Sequence, residues 1–266
     1  MTKVFEDISC AELLLRIILN DEGIRVLEAH SQRGIKNLQG RSVKLDILAV
    51  DSHNRVFNVE VQRSDRGAGA KRARYNSALI DANVTEPGDQ YEDLNETFVI
   101  FITENDVMKA GLPIYHIDRV VRETGKLFED EEHIIYVNSQ IKDETKLGRL
   151  MHDFSCTDAK DMYNKVLADR VRYFKEDERG VEIMCREMEI MRNQAHEEGV
   201  EIGIKKGRML QLIKQVCAKM QKFSSAEEIA NDLVEQDVPL IQKIMNVAPD
   251  FAPDYNVNDI YNALKL

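Results

Sequence analysis

The stretch "VKLDILAVDSHNRVFNVEVQ", residues 43–62, decides how the chain is read. Apolar residues alternate on both sides of a polar break: Val43, Leu45, Ile47 and Ala49 before it, Phe57, Val59 and Val61 after it. Period-two alternation marks strands with one buried face, and the break between them predicts a hairpin. The other faces carry Lys44, Asp46 and Leu48, then Asn58, Glu60 and Gln62. A slip of one residue would turn one apolar face outward, so parity restricts the register. Two registers survive. The one with Ser52–His53–Asn54 as loop, closed by Asp51 and Arg55, needs a left-handed third residue, which Asn54 tolerates. It sets Asp46 opposite Glu60 and Lys44 opposite Gln62.

Opposed carboxylates about 5 Å apart at Cβ repel and weaken a sheet. Two readings explain them. Either the acids are simply solvated at an edge, or they share a divalent cation, since hard oxygen donors at that separation fit Mg²⁺ or Mn²⁺. Such an ion would polarise a phosphoryl oxygen and activate water for in-line attack.

Around the hairpin, residues 4–20 carry a helical apolar pattern ending near Asn20–Gly23, followed by the polar stretch "SQRGIKNLQGRS". After the hairpin, "DRGAGAKRARYNSALIDAN" opens a helix from a glycine-bounded loop, with Tyr75, Ala78, Leu79 and Ala82 on one side. "TFVIFIT" (97–103) reads as a strand buried on both faces. "PIYHIDRVV" (113–121) and "HIIYVN" (133–138) predict further strands. Strand signals stop near residue 143. "DETKLGRLMHDF" and "DAKDMYNKVLADRVRYF" are helical, and 181–222 reads as one or two long helices. Gly199, Gly203 and Gly207 lie four apart there among charged residues, which suits close helix approach or a bendable helix and not a membrane span. Ser225 with Glu228 forms a capping box for a short helix over 226–235, Asp237 caps another, and "NVNDIYNALK" is a last one.

Composition narrows the function. The 266 residues are 43% hydrophobic and 31% charged, with a net charge of −11. That charge excludes a general polyanion binder, so contact with nucleic acid must come through a local basic patch or bound cations. No apolar run is long enough to span a bilayer and none follows Met1, which predicts a cytoplasmic protein with no membrane contact. Cys10, Cys156, Cys185 and Cys217 are scattered and predict free thiols.

"KLDILAVDSHNRVFNVEVQ", "KRARYNSALID", "LPIYHIDRVV" and "LGRLMHDF…DMYNKVLADRVRYFKE" together resemble the recombination-promoting nuclease and putative transposase family of the PD-(D/E)XK superfamily, over roughly residues 5–175. The resemblance implies an α/β restriction-endonuclease-like core, a central mixed sheet flanked by helices, followed by an α-helical C-terminal region. We draw the expected boundary between a nuclease-like domain at 1–154 and a helical region at 155–266, the latter an oligomerisation or targeting module. The resemblance makes Asp46 and Glu60 metal ligands for Mg²⁺ or Mn²⁺, with the Val61 backbone carbonyl as a third. Gln62 takes the place of the superfamily's lysine and can orient water without supplying charge. Lys44 is the expected substitute ammonium. Glu12 is the candidate for an acid on the first helix, against the plainer reading of a solvent-facing residue. Lys71, Arg72 and Arg74, with Arg63 and Arg66 before them, either contact DNA phosphates or form a solvated face. His116, His133 and His152 are read as structural. The implied activity is a metal-dependent DNA endonuclease acting in recombination or transposition, as a homo-oligomer joined through the helical region. A catalytically weak DNA-binding or interaction module and an RNA-cleaving toxin remain as alternatives.

Overall fold

A computed structural model describes residues 2–37, 40, 42–62, 67–85, 88–223 and 225–264. Arg63 and Arg66 lie outside these. The chain forms two compact units, 1–182 and 183–266.

The first unit is built on six strands: β1 (Val26–Ile35), β2 (Val43–Asp51), β3 (Val56–Gln62), β4 (Thr97–Thr103), β5 (Ile114–Ile117) and β6 (Glu132–Asn138). They lie in the order β1-β2-β3-β4-β6-β5. β1, β2 and β3 pair antiparallel, β3, β4 and β6 parallel, and β5 antiparallel to β6. Parallel neighbours need a crossover, which α2 (Ala70–Val84) supplies between β3 and β4. Every residue of β4 is buried, as its continuous apolar run predicts for a central strand covered on both faces.

β1 was not legible as a strand. "VLEAHSQRGI" has no apolar alternation because β1 is an edge strand, with only Val26 and Ile35 buried. The strand predicted over 113–121 shortens to four residues, pairing only along β6.

Before the sheet stands α1 (Ile8–Leu19), capped by Asp7 and ended by left-handed Asn20 at φ 50°. It buries Leu14, Leu15 and Ile18. After the sheet come α3 (Lys146–Ser155) and α4 (Lys165–Glu176). Both pack on α1, and Phe154 stacks on Phe5 with centroids 5.5 Å apart. These contacts place both helices in the first unit, which runs past the boundary drawn at 154.

α5 (Glu178–Lys219) is one continuous helix that begins in the first unit and continues through the second. In the second unit it joins α6 (Ala226–Leu233), α7 (Val238–Val247) and α8 (Val257–Leu264) around Ile213, Val216, Ile229, Ile241, Ile244 and Ile260. The capping box at Ser225 and Glu228 forms, and Asp237 accepts the Leu240 N–H at 2.9 Å. Among the described residues nothing lies within 4 Å of a Cβ placed at Gly199, Gly203 or Gly207, so of the two expectations for these glycines no close helix approach is seen within the chain. Among the described residues no helix is long and apolar enough to cross a membrane.

Candidate active site

The hairpin takes the predicted register. Ile47 pairs with Val59 and Ala49 with Phe57, Asp51 N–H donates to the Arg55 carbonyl at 3.2 Å, and Asn54 is left-handed at φ 59°. The turn is locked by Asp51, whose buried carboxylate accepts the N–H groups of His53 and Arg55 at 2.9 Å and pairs with the Arg55 guanidinium at 2.7 Å.

Past Ile47 and Val59 the ladder opens, and side chains take over from backbone. Val61 N–H donates to Asp46 Oδ2 at 2.9 Å, and Asp46 N–H points to Glu60 Oε1 at 3.4 Å. Even-numbered residues of β3 bond to β4, as Val56 N–H does to the Glu96 carbonyl and Glu104 N–H to the Gln62 carbonyl. Strand bonding alternates sides, so the Val61 carbonyl faces β2 and this gap.

Glu60 lies in a cross-strand row with Phe101 and Tyr136, whose rings stack at 5.3 Å. The Tyr136 hydroxyl donates to the Ala68 carbonyl at 2.9 Å, closing the row. Glu60 is therefore 0% exposed and Asp46 half-buried, in contrast to the open polar face that alternation implied. The difference arises because α2 covers this face. Arg72 of α2 donates to Glu60 Oε2 at 2.8 Å, and Gln62 Nε2 reaches the same oxygen at 3.3 Å. A Cβ on Gly67 would fall 1.9 Å from Gln62 Oε1, so the Gln62 amide in this position leans on the bare backbone of Gly67. Loss of water pushes the Glu60 carboxyl up to about 7, the Asp46 charge adds to the rise, and Arg72 opposes it.

α2 also departs from its expected face. Ala73, Asn76, Ser77, Leu79 and Ile80 are buried while Ala78 and Ala82 are exposed. Among the described residues the buried amide of Asn76 has no hydrogen-bond partner, while buried Asn58 lies beside Glu60 and helps to hold its charge. Lys71, Arg72 and Arg74 are exposed along the first turns of α2, but Arg72 is engaged by Glu60. The β2–β3 ladder ends before Lys44, which is exposed and pairs in register with Gly34 of β1. Among the described residues the cation on Glu60 is Arg72, a contact that sequence reasoning missed because nothing in the order of residues brings α2 onto Glu60.

Glu12 is neither solvent-facing nor in this cluster. It accepts the Val26 N–H at 3.0 Å and pairs with Arg16. His133 is structural, between Asp118 at 2.9 Å and Glu96 at 3.2 Å and stacked on Phe98. His116 is exposed. His152, Asp153 and Cys156 bring ligand atoms within 4.8 Å of one another. Asp153 there holds the N–H groups of Tyr163 and Asn164 at 2.7 and 2.9 Å, and burial and nearby acids raise the Cys156 thiol. Through Asp153 the group ties α3 to the residues that open α4. The four cysteines are free.

A cleft of about 540 Å³ lies beside Val61 and Gln62, lined also by Glu104, Asn105, Gln140 and Lys142. It opens at the carboxyl ends of the parallel strands, where α/β sheets bind ligands.

A mixed sheet flanked by helices, with two acids at the opened end of its antiparallel hairpin, defines a PD-(D/E)XK nuclease-like α/β protein. The chain belongs to the PD-(D/E)XK nuclease family transposase family, whose family model matches residues 12–201. No curated protein and no solved structure matches it.

Proposed function

We propose that this nuclease/transposase-like protein is a divalent-metal-dependent endodeoxyribonuclease acting in recombination or transposition. The reading is carried by the Asp46–Glu60 pair: two acids joined where the hairpin opens, one of them wholly buried beside another negative charge. Sheet stability alone gives no reason for that arrangement. The donors fit the metal. Asp46, Glu60 and the Val61 carbonyl are hard oxygens, and the Arg72 guanidinium on Glu60 shows that a positive charge suits this position.

A bound Mg²⁺ or Mn²⁺ supplies Lewis-acid polarisation of the phosphoryl group and activation of the attacking water. Asp46 and Glu60 fix where that charge sits. The Gln62 amide orients water at the cleft. Arg72, released from Glu60, has a half-exposed guanidinium that can turn to a phosphate as a forked donor. Lys44 on β2 is the second candidate cation, and Lys71 and Arg74 hold flanking phosphates. Self-association through the helical region is part of this proposal; Met188, Met191 and Ile202 of α5 are exposed there.

Nicking of supercoiled plasmid in Mn²⁺, with single-stranded DNA and RNA as parallel substrates, tests the reading. Asp46→Ala and Glu60→Ala should each abolish cleavage, and a variant cleaving near the wild-type rate refutes the assignment. Gln62 in place of lysine, together with the Arg72–Glu60 pair, favours a second reading as an inactive DNA-binding module. That reading requires duplex binding without cleavage by the wild type.

A further inference from the structure

Asp46 is held from both sides. Val61 N–H takes Oδ2 from β3, and from β1 the Gln32 side-chain amide donates to Oδ1 at 3.2 Å. Gln32 does so from an unusual backbone. It sits inside a ten-residue strand at φ 54°, a left-handed conformation that residues other than glycine, asparagine and aspartate seldom adopt. The β1–β2 register runs from Ala29↔Ala49 to Ser31↔Ile47 and resumes at Arg33↔Leu45, passing over the position where Gln32 faces Asp46. The register shift of β1 lies at Val26–Glu28, and the register is the same on both sides of Gln32, so what sets this position apart is its left-handed backbone and its reach to the carboxylate.

A kink on an edge strand has a plainer use, since it discourages pairing with another chain. That use asks only for a residue at ease with positive φ. Gly34 stands two positions further along β1, yet the left-handed conformation falls on Gln32. The side chain, not the bend, is what the position retains.

We propose that Gln32 is a positioning residue for the metal site: its amide locks the Asp46 carboxylate in the orientation that meets a cation shared with Glu60. The proposal rests on the metal-site reading above. Without the amide, Asp46 turns about its terminal torsion and must be ordered when the ion binds. Loss of such an outer partner weakens metal affinity about tenfold to a hundredfold.

Titration calorimetry with Mn²⁺ alone at pH 8, on full-length wild type, Gln32→Gly and Asp46→Asn, tests this without turnover. Glycine accepts the left-handed backbone and removes the side chain that carries the amide. Gln32→Gly should melt in chelator at or above the wild-type temperature while its Mn²⁺ Kd rises about tenfold or more. If its Kd stays within about twofold of wild type while Asp46→Asn loses binding, the role of Gln32 is overturned and the metal site stands. If wild type binds no Mn²⁺, or Asp46→Asn binds as well as wild type, the site reading falls and takes this proposal with it. Should glycine lower the melting temperature, Gln32→Asn tolerates the same backbone with an amide one methylene short of Asp46. At wild-type stability it must show the same loss, and unchanged affinity there overturns the proposal.

Discussion

Glu60 should make the metal-free protein less stable as pH rises. Its carboxyl is lifted from the ordinary 4.5 to about 7, first by burial and then by Asp46, against the pull of Arg72. That rise corresponds to about 3 kcal/mol. In the unfolded chain Glu60 ionises near 4.5. Between the two values the folded state holds a proton that the unfolded state has lost, so stability falls with pH. The contribution is fully present below 4.5 and gone once pH has passed through about 7. Other groups titrate in the same window, so the measurement is a difference against Glu60→Gln, which keeps the shape and has no proton to lose. Urea unfolding of the sheet unit in chelator, at pH 5 and pH 8, should show the variant gaining on wild type by about 2–3 kcal/mol between the two conditions, since part of the penalty is already present at pH 5. Asp46→Asn removes the second cause of the rise and should shrink that step. Excess Mn²⁺ at pH 8 should restore the wild type and leave Glu60→Gln nearly unchanged, because stabilisation follows selective binding to the folded state. A difference between wild type and Glu60→Gln that moves by less than about 0.5 kcal/mol from pH 5 to pH 8 refutes the reasoning.

Asn76→Leu should stabilise the sheet unit by about 1 kcal/mol, since a buried amide without a partner costs about 1–3 kcal/mol and leucine repeats the branched side-chain skeleton; a lower urea midpoint would mean that the amide has a partner in solution or that the larger methyl groups overpack the site. Lys71→Ala with Arg74→Ala, leaving Arg72 on Glu60, should flatten the salt dependence of duplex binding by about 0.9 log–log units per lost phosphate contact. An unchanged slope returns these residues to a solvated face.

How much of this was legible in the sequence depends on how locally each feature is encoded. The hairpin register followed from residues within it, because parity and a loop tolerant of left-handed Asn54 left few choices. β4 was legible from seven apolar residues in a row, and the caps of α6 and α7 from side chains within one turn. That Asp46 and Glu60 would be neighbours was legible for the same reason. Features made by distant segments were not. β1 showed no strand pattern, since an edge strand can be polar on both faces. Arg72 looked like one of several surface bases, and its contact with Glu60 exists only because the β3–α2 crossover folds back over that face. Gln32 had no signal at all beyond being polar.

The positions that broke local rules are also those that meet at the candidate site. A glutamate faces an apolar row of aromatic rings, a glutamine takes a glycine-like backbone, and a hairpin gives up its ladder to two carboxylates. Each arrangement costs stability when considered alone, and real proteins concentrate such costs where function requires them. For the two carboxylates the physical remedy is a positive charge at the open end of the hairpin. Arg72 supplies part of it from a half-exposed helix position, and Glu60 still rises to about 7, so the pair remains short of positive charge. That deficit is the electrostatic case for a divalent cation here, and it depends on burial and distance, not on the family to which the chain belongs.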